Sequence, residues 1–385
     1  MTMRKITMNH KGGAGVIALM LVILILAVGT AVLVVVDNGS IGKSTSMEAV
    51  KITTNDSSSK TDDSSDAIDD SAAEPEPEPE PESLLPTLSD DYKEVNAKKI
   101  DSKYCVLIDA DTNQIIAGTG YDKKIYPASL TKLMTLLVAA ENIDDIKGTF
   151  KFTNKIIEPL IEQDASRVGF ENGEKVTIKD LLYGSILCSG ADATTALAIT
   201  VSGTEKDFAT LMNRRAEELG LESTHFMNAS GLHDKNHISS CLDMAALMKA
   251  VIENKTCKKI ISTEKYTTGK TKLHPDGIEI QSFVFKNIYE FGKDPDFEIG
   301  GGKTGYTDEA GTLLASYLEY DGKTYIAVTA KALTQAQAVL DTEYLYHNYV
   351  VKPAKAAAED SDKDETAETA DENADESSED EKEAA

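Results

Sequence analysis

The chain is short of positive charge. Its 39 Lys and Arg stand against 65 Asp and Glu over 385 residues, a formal net charge of −26. Phosphate recognition needs a basic footprint, so nucleic acid is excluded as a partner. Cysteine is scarce as well, with only Cys105, Cys188, Cys241 and Cys257. Their spacing matches neither a disulfide scaffold nor a zinc pattern, and buried free thiols are expected. The six histidines make no metal signature either. His233 and His237 are four apart, but they sit in a Gly/Asp/Asn-containing loop sequence and lack the H-E-x-x-H pattern, so no metal is expected. Internal repeats are absent.

The negative charge that is present is unevenly placed. Residues 1–36 carry +3, residues 37–91 carry −12, residues 92–353 carry −6 and residues 354–385 carry −11. Most of the acidity therefore flanks a nearly ordinary middle. Residues 14–36 contain no charge. At about 1.5 Å per residue they reach roughly 34 Å as a helix, enough for the hydrocarbon core of a bilayer. A secretory signal peptide has a shorter apolar region, about 7–15 residues, and a small-residue cleavage site. Here the run ends in Val34, Val35, Val36 and Asp37, so an uncleaved transmembrane signal anchor is expected. Arg4, Lys5 and Lys11 precede it, which keeps residues 1–13 in the cytoplasm and exports the rest.

Residues 37–91 are rich in Ser, Thr, Asp and Glu, and Glu74–Glu82 alternates with proline. Such a segment cannot bury enough apolar surface to offset chain entropy, and it is expected to be a disordered acidic tether with a stiff polyproline II stretch of roughly 28 Å. Residues 354–385 are expected to be a disordered acidic tail, open to transient helix. About 35 residues follow the last expected helix. Attachment is therefore assigned to the N-terminal helix and not to a C-terminal amphipathic one.

The folded domain is expected over 92–353. Residues 104–110 and 114–118 alternate with a turn at Asp111–Asn113 and predict a hairpin. Leu130, Leu133, Met134, Leu137 and Val138 recur at helical spacing, so a helix is expected to start near Ser129, just after Pro127. Helical patterns cover 178–186, 191–201, 205–219 and 242–253. A second hairpin, 312–320 and 324–330, turns at Asp321–Lys323 and is followed by a helix over 335–349. Strands at both ends with helices between predict one mixed α/β domain.

Within it, Ser129-Leu130-Thr131-Lys132 is an S-x-x-K tetrad. The pattern recurs elsewhere, at Ser57–Lys60 and Ser262–Lys265 among others, but only the copy at Ser129 opens a strongly apolar helix. Residues i and i+3 share a helix face, so the amine approaches the hydroxyl. A desolvated lysine is neutral enough to take a serine's proton, which a nucleophile requires. An ordinary helix N-terminus with a capping Ser and a surface Lys is the competing reading of the tetrad alone. Gly300–Tyr306 contains Gly302-Lys303-Thr304. A phosphate-binding P-loop needs a glycine five residues before the one preceding lysine. Phe297 stands there, and Glu264 fills the equivalent place before Gly269-Lys270-Thr271, so nucleotide binding is rejected.

S-x-x-K followed much later by K-T-G resembles the signature of penicillin-binding proteins and serine β-lactamases. Four stretches, Pro127–Lys132, Leu181–Ala193, Phe226–Asp243 and Lys303–Thr307, resemble one branch in particular, the D-alanyl-D-alanine carboxypeptidases. The likeness covers about residues 92–350. It implies a β-lactamase/transpeptidase-like fold, an antiparallel sheet flanked by helices with a helical subregion. It implies a serine peptidase acting on peptidoglycan stem peptides, acylated covalently by β-lactam antibiotics, without a cofactor, on the extracytoplasmic side of a bacterial cell membrane.

The resemblance also implies roles. Ser129 is the nucleophile, Lys132 its base, and Ser189 a relay toward the leaving amine. Lys303 on a sheet-edge strand, Thr304, Gly305 and Tyr306 bind the substrate, Lys303 and Thr304 through its terminal carboxylate. The amides of Ser129 and Tyr306 make an oxyanion hole. One departure stands out. The second motif is usually S-x-N, and here it is Ser189-Gly190-Ala191, with no S-x-N anywhere in the chain. The missing Asn normally holds the catalytic lysine and the substrate amide. Alternatives are therefore a weakened or inactive relative that binds stem peptides, or a D,D-endopeptidase, D,D-transpeptidase or β-lactamase activity of the same fold. No counterpart is found for the deacylating Glu of a class A β-lactamase.

Overall fold

The computed structural model describes residues 85–293 and 296–358. The transmembrane segment expected at 14–36, nearly all of the expected tether and most of the tail lie outside them. In chain order the elements are β1 (Thr87–Glu94), β2 (Tyr104–Asp109), β3 (Gln114–Thr119), α1 (Thr131–Asn142), β4 (Thr149–Lys151), α2 (Asn154–Glu162), β5 (Lys175–Thr177), α3 (Ile178–Ile186), α4 (Ala191–Ser202), α5 (Glu205–Glu218), α6 (Cys241–Glu253), α7 (Lys255–Ile261), β6 (Lys265–Thr267), β7 (Glu279–Gln281), α8 (Phe283–Phe291), β8 (Ile299–Thr307), β9 (Gly311–Tyr320), β10 (Lys323–Ala332) and α9 (Gln335–Tyr346). Among the described residues no helix is long and apolar enough to cross a membrane.

The main sheet runs β1-β3-β2-β10-β9-β8. Both expected hairpins form, β2 with β3 and β9 with β10, and β10 joins them by pairing with β2. The apolar run of β2 follows from burial on two faces. Val106 and Ile108 enter the large core shared with α1 and α6, while Cys105 and Leu107 enter a second core with Leu345 and Tyr346 of α9. Successive strand residues point to opposite faces, so both sets are apolar only because helices cover both.

The helical subregion is built from α1, α3, α4 and α5. Helix α1 is buried nearly all round, from Thr131 to Ala139, as a central helix must be. Each of its leucines removed from water contributes about 1.5–3 kcal/mol. The starts of α3, α5 and α6 are set by Thr177, Thr204 and Ser240, whose hydroxyls accept from the amides of Asp180, Asp207 and Asp243. Such caps satisfy amides that the helix itself leaves open.

Three details were not foreseen. Strand β1 starts at Thr87, ahead of the boundary expected at 92, and pairs with β3. That pair is parallel, so the sheet is not wholly antiparallel. Strand β1 is mostly exposed and is held by backbone pairing at a sheet edge, which leaves no apolar alternation to read. Helical residues continue to 358, past the expected tail boundary, and Lys355 pairs there with Asp296 at 2.9 Å. The helix expected to start near Ser129 does so: a short 3₁₀ turn, Ala128–Leu130, carries Ser129 and runs directly into α1 at Thr131.

Candidate active site

The turn bearing Ser129 is forced by its neighbours. Ala128 has φ +46°, a left-handed conformation costly to a residue with a side chain. Gly231 packs against it so closely that a Cβ there would lie 1.9 Å from the Ala128 carbonyl oxygen. On the other side, a Cβ on Gly305 would lie 3.2 Å from the Pro127 carbonyl oxygen and 3.4 Å from the Ser129 nitrogen. The glycine of the K-T-G motif thus lets β8, the edge strand, lie against the serine turn. It brings the Ser129 and Tyr306 segments alongside each other.

Lys132 occupies the first turn of α1 and is buried. Its Nζ lies 2.9 Å from Ser129 Oγ. It also donates a short hydrogen bond to the carbonyl of Ser230. Burial pushes the Lys132 amine down to about 7, against the opposing pull of Cys188, Asp192 and Glu205. An amine in that range is a competent acceptor for a serine proton near neutral pH. The Ser230 carbonyl supplies an acceptor for Lys132 on a chain where Ala191 offers none.

Ser189 lies between α3 and α4 with φ +61° and is buried. Its Oγ accepts from Lys303 Nζ at 3.1 Å, and Lys303 also donates to the Thr304 carbonyl at 2.8 Å. Lys303 is buried, and burial together with the nearby Lys132 holds its amine well below the ordinary lysine range. Lys303, on the edge strand β8, is thus buried and bonded to Ser189, the serine of the second motif. Thr304 is half-buried, and Tyr306 is exposed with its hydroxyl donating to Asp308 at 2.8 Å.

Asp192, one residue after Ala191, is buried. It accepts from the amides of Val168, Gly169 and Ala193 at 2.9, 3.1 and 2.9 Å. It fixes the 168–170 loop to the second motif. The loop bearing Ser230 is fixed in turn to α1. Thr135 Oγ1 donates to the Ala229 carbonyl at 2.6 Å, and Thr131 Oγ1 meets His237 Nε2 at 2.7 Å. His237 is thus engaged at Thr131, while His233 pairs with Glu309 at 3.7 Å. Of the other S-x-x-K copies, the one at Ser262 has its serine bonded to the Lys258 carbonyl and Tyr317, and those before residue 85 lie outside the described residues. A separate groove of about 580 Å³, lined by Phe285, Tyr289 and Glu343 among others, holds none of these groups.

A family model described as D-alanyl-D-alanine carboxypeptidase matches residues 91–334. The chain belongs to the D-alanyl-D-alanine carboxypeptidase family. It is 32% identical over 260 residues to the D-alanyl-D-alanine carboxypeptidase DacF of Bacillus subtilis strain 168, covering 66% of this chain and 64% of that relative. It is 31% identical over 238 residues to DacA of Escherichia coli K12, covering 57% and 54%. The chain thus spans less than two thirds of the length of these curated relatives. Among solved structures it is similar to penicillin binding protein 5 from Haemophilus influenzae, with 27% identity and a TM-score of 0.58 over 65% of this chain and 71% of that one.

Within this family member, Ser129, Lys132, Ser189 and Lys303 were readable as motif residues, and the structure brings them together in two bonded pairs. Sequence reasoning missed the Ser230 carbonyl and gave no role to Asp192, Thr131 or His237, although all three fall in the stretches that carry the resemblance. A backbone carbonyl has no residue-type signature. The loop containing Ser230 was nonetheless marked by Gly231-Leu232-His233.

Proposed function

We propose that this chain is a serine-type D-Ala-D-Ala carboxypeptidase that removes the terminal D-alanine from peptidoglycan stem peptides. The observation that carries the reading is the Ser129–Lys132 pair, 2.9 Å apart, with Lys132 brought to about 7 by burial. Ser129 Oγ attacks the carbonyl carbon of the penultimate D-Ala while its proton passes to Lys132 Nζ. The amides of Ser129 and Tyr306 receive the charge that develops on the carbonyl oxygen. Collapse breaks the C–N bond, and the leaving amine takes a proton relayed from Lys132 through Ser189. Water then attacks the acyl ester and returns Ser129 to its resting state. Lys303 and Thr304 hold the substrate's terminal carboxylate, and an arriving carboxylate restores the charged form of Lys303. β-Lactams acylate the same serine. Residues 14–36 anchor the chain in the bacterial cell membrane with the catalytic domain outside.

The test is labelling of the full chain by a fluorescent penicillin beside Ser129→Ala. The wild type takes the label and the variant does not; a variant that labels as well as wild type overturns the assignment of the nucleophile. Ala191 favours a second reading, a weakened relative that binds stem peptides, because alanine offers no amide to the substrate. Labelling without D-alanine release is the result that selects it.

A further inference from the structure

We propose that His237 is a positioning residue for acylation: its Nε2–H, bonded to Thr131, holds the Ser230 carbonyl in register with Lys132. The inference builds on the Ser129 acylation chemistry above and assigns a role to a residue outside the S-x-x-K, second and K-T-G motifs. His237 is buried, and its ring packs edge-on to Phe226 at 5.6 Å. The amide of Met227 donates to Nδ1 at 3.2 Å. A neutral imidazole carries one ring proton, so Nδ1 as acceptor leaves that proton on Nε2, where it meets Thr131 Oγ1 at 2.7 Å.

The connection reaches the base by a short path. Thr131 is the residue before Lys132 on the same buried helical turn. The loop 226–238 holds Met227 and His237 near its ends and Ser230 between them. Asn213 fixes the Phe226 end, accepting from its amide at 2.7 Å and donating to its carbonyl at 2.8 Å. Asn228 Oδ1 accepts from the Gly231 amide at 2.7 Å. Two side-chain bonds tie this loop to the helix carrying the base: Thr135 holds the Ala229 carbonyl on one side of Ser230, and His237 holds Thr131 on the other. With the His237 tie cut, Ser230 is held from the Ala229 side alone and its carbonyl shifts relative to Lys132 Nζ, and small displacements at a reacting centre are expensive.

The charged groups facing the pair come from several elements. Around Lys132 these are Cys188, Asp192 and Glu205, with Lys303 on β8. Around His237 they are Asp234, His225, His233 and Lys132 itself. None of them is altered in the test below.

The test is the acylation rate of the full chain by a fluorescent penicillin, measured across pH. His237→Asn keeps an acceptor for the Met227 amide but loses the donor to Thr131. His237→Gln keeps a donor near the Nε2 position. The expected result for His237→Asn is a limiting rate about tenfold to a hundredfold lower. Its acid-limb midpoint moves below that of wild type, because the ammonium form of Lys132 has lost a carbonyl acceptor. His237→Gln restores most of the rate and the midpoint. Unchanged rate and midpoint in His237→Asn overturn the proposal. So does equal impairment of both variants with an unmoved midpoint, which is what a merely structural histidine gives. Should His237→Asn fail to fold, Thr131→Val and Thr131→Ser read the same bond: Val shifts the midpoint and Ser does not, and a Val variant that behaves as wild type overturns the proposal. Acylation without D-alanine release contradicts the carboxypeptidase reading and leaves this one standing. A wild type that is never acylated removes both.

Discussion

Lys132 sets the pH dependence at the scale of single residues. Its amine must be neutral to accept the Ser129 proton, and burial has brought it to about 7. Below that pH the ammonium form dominates, so the acylation rate falls about tenfold per pH unit and levels off above about 8. A pH–rate profile with penicillin checks this; a rate that stays flat from pH 7 to pH 5 denies Lys132 the role of base. His237 makes a separate, thermodynamic prediction. Burial pushes its imidazole from 6.5 down to about 4, so protonation favours the unfolded chain. Its contribution is present in full above pH 6.5 and is lost as pH falls toward 4, about 3 kcal/mol at the limit. Urea unfolding of wild type and His237→Gln at pH 7 and 4.5 measures it: the gap between the two pH values is expected to shrink in the variant. Ser129 and Lys132 were legible because their chemistry needs two residue types at one spacing. The Ser230 carbonyl was not, since any residue carries one. The Lys303–Ser189 bond joins residues 114 apart in sequence, and spacing does not encode such a contact.

At the scale of elements, the site depends on backbone segments approaching more closely than side chains allow. Gly231 has φ +81°, and a Cβ would strike the Ala128 carbonyl at 1.9 Å. Gly231→Ala is therefore expected to cost several kcal/mol through strain and overpacking. It should also slow penicillin labelling of whatever fraction folds, because the Ser129 turn is displaced. Thermal unfolding and labelling of the soluble fraction check both; wild-type behaviour in each refutes the packing account. The same crowding explains which elements could be read. Strands β2, β3, β9 and β10 and helices α3, α4 and α6 carry strong patterns or caps and lie within about two residues of expectation. Helix α1 also starts within two residues of expectation, after the 3₁₀ turn at Ala128–Leu130. The three-residue strands β4 to β7 are too short to show a period. Helix α8 begins at Phe283, and Ser282 before it makes no side-chain cap bond.

On the scale of the whole molecule, the formal charge of −26 separates into parts with different meanings. The expected catalytic domain, 92–353, carries only −6, and the rest of the acidity flanks it. The mixed fold was legible from strands at both ends with helices between. What remained hidden was the parallel entry of β1 at the edge, where exposed polar residues give no signal. The sheet and the helical subregion together place Ser129 where β8, α1, the second motif and the Ser230 loop converge. The most direct measurement of the account is D-alanine release from diacyl-Lys-D-Ala-D-Ala by the full chain and by Ser129→Ala, side by side. The prediction is release of the terminal D-alanine by wild type and none above background by the variant. No release by the wild type, or undiminished release by the variant, contradicts it.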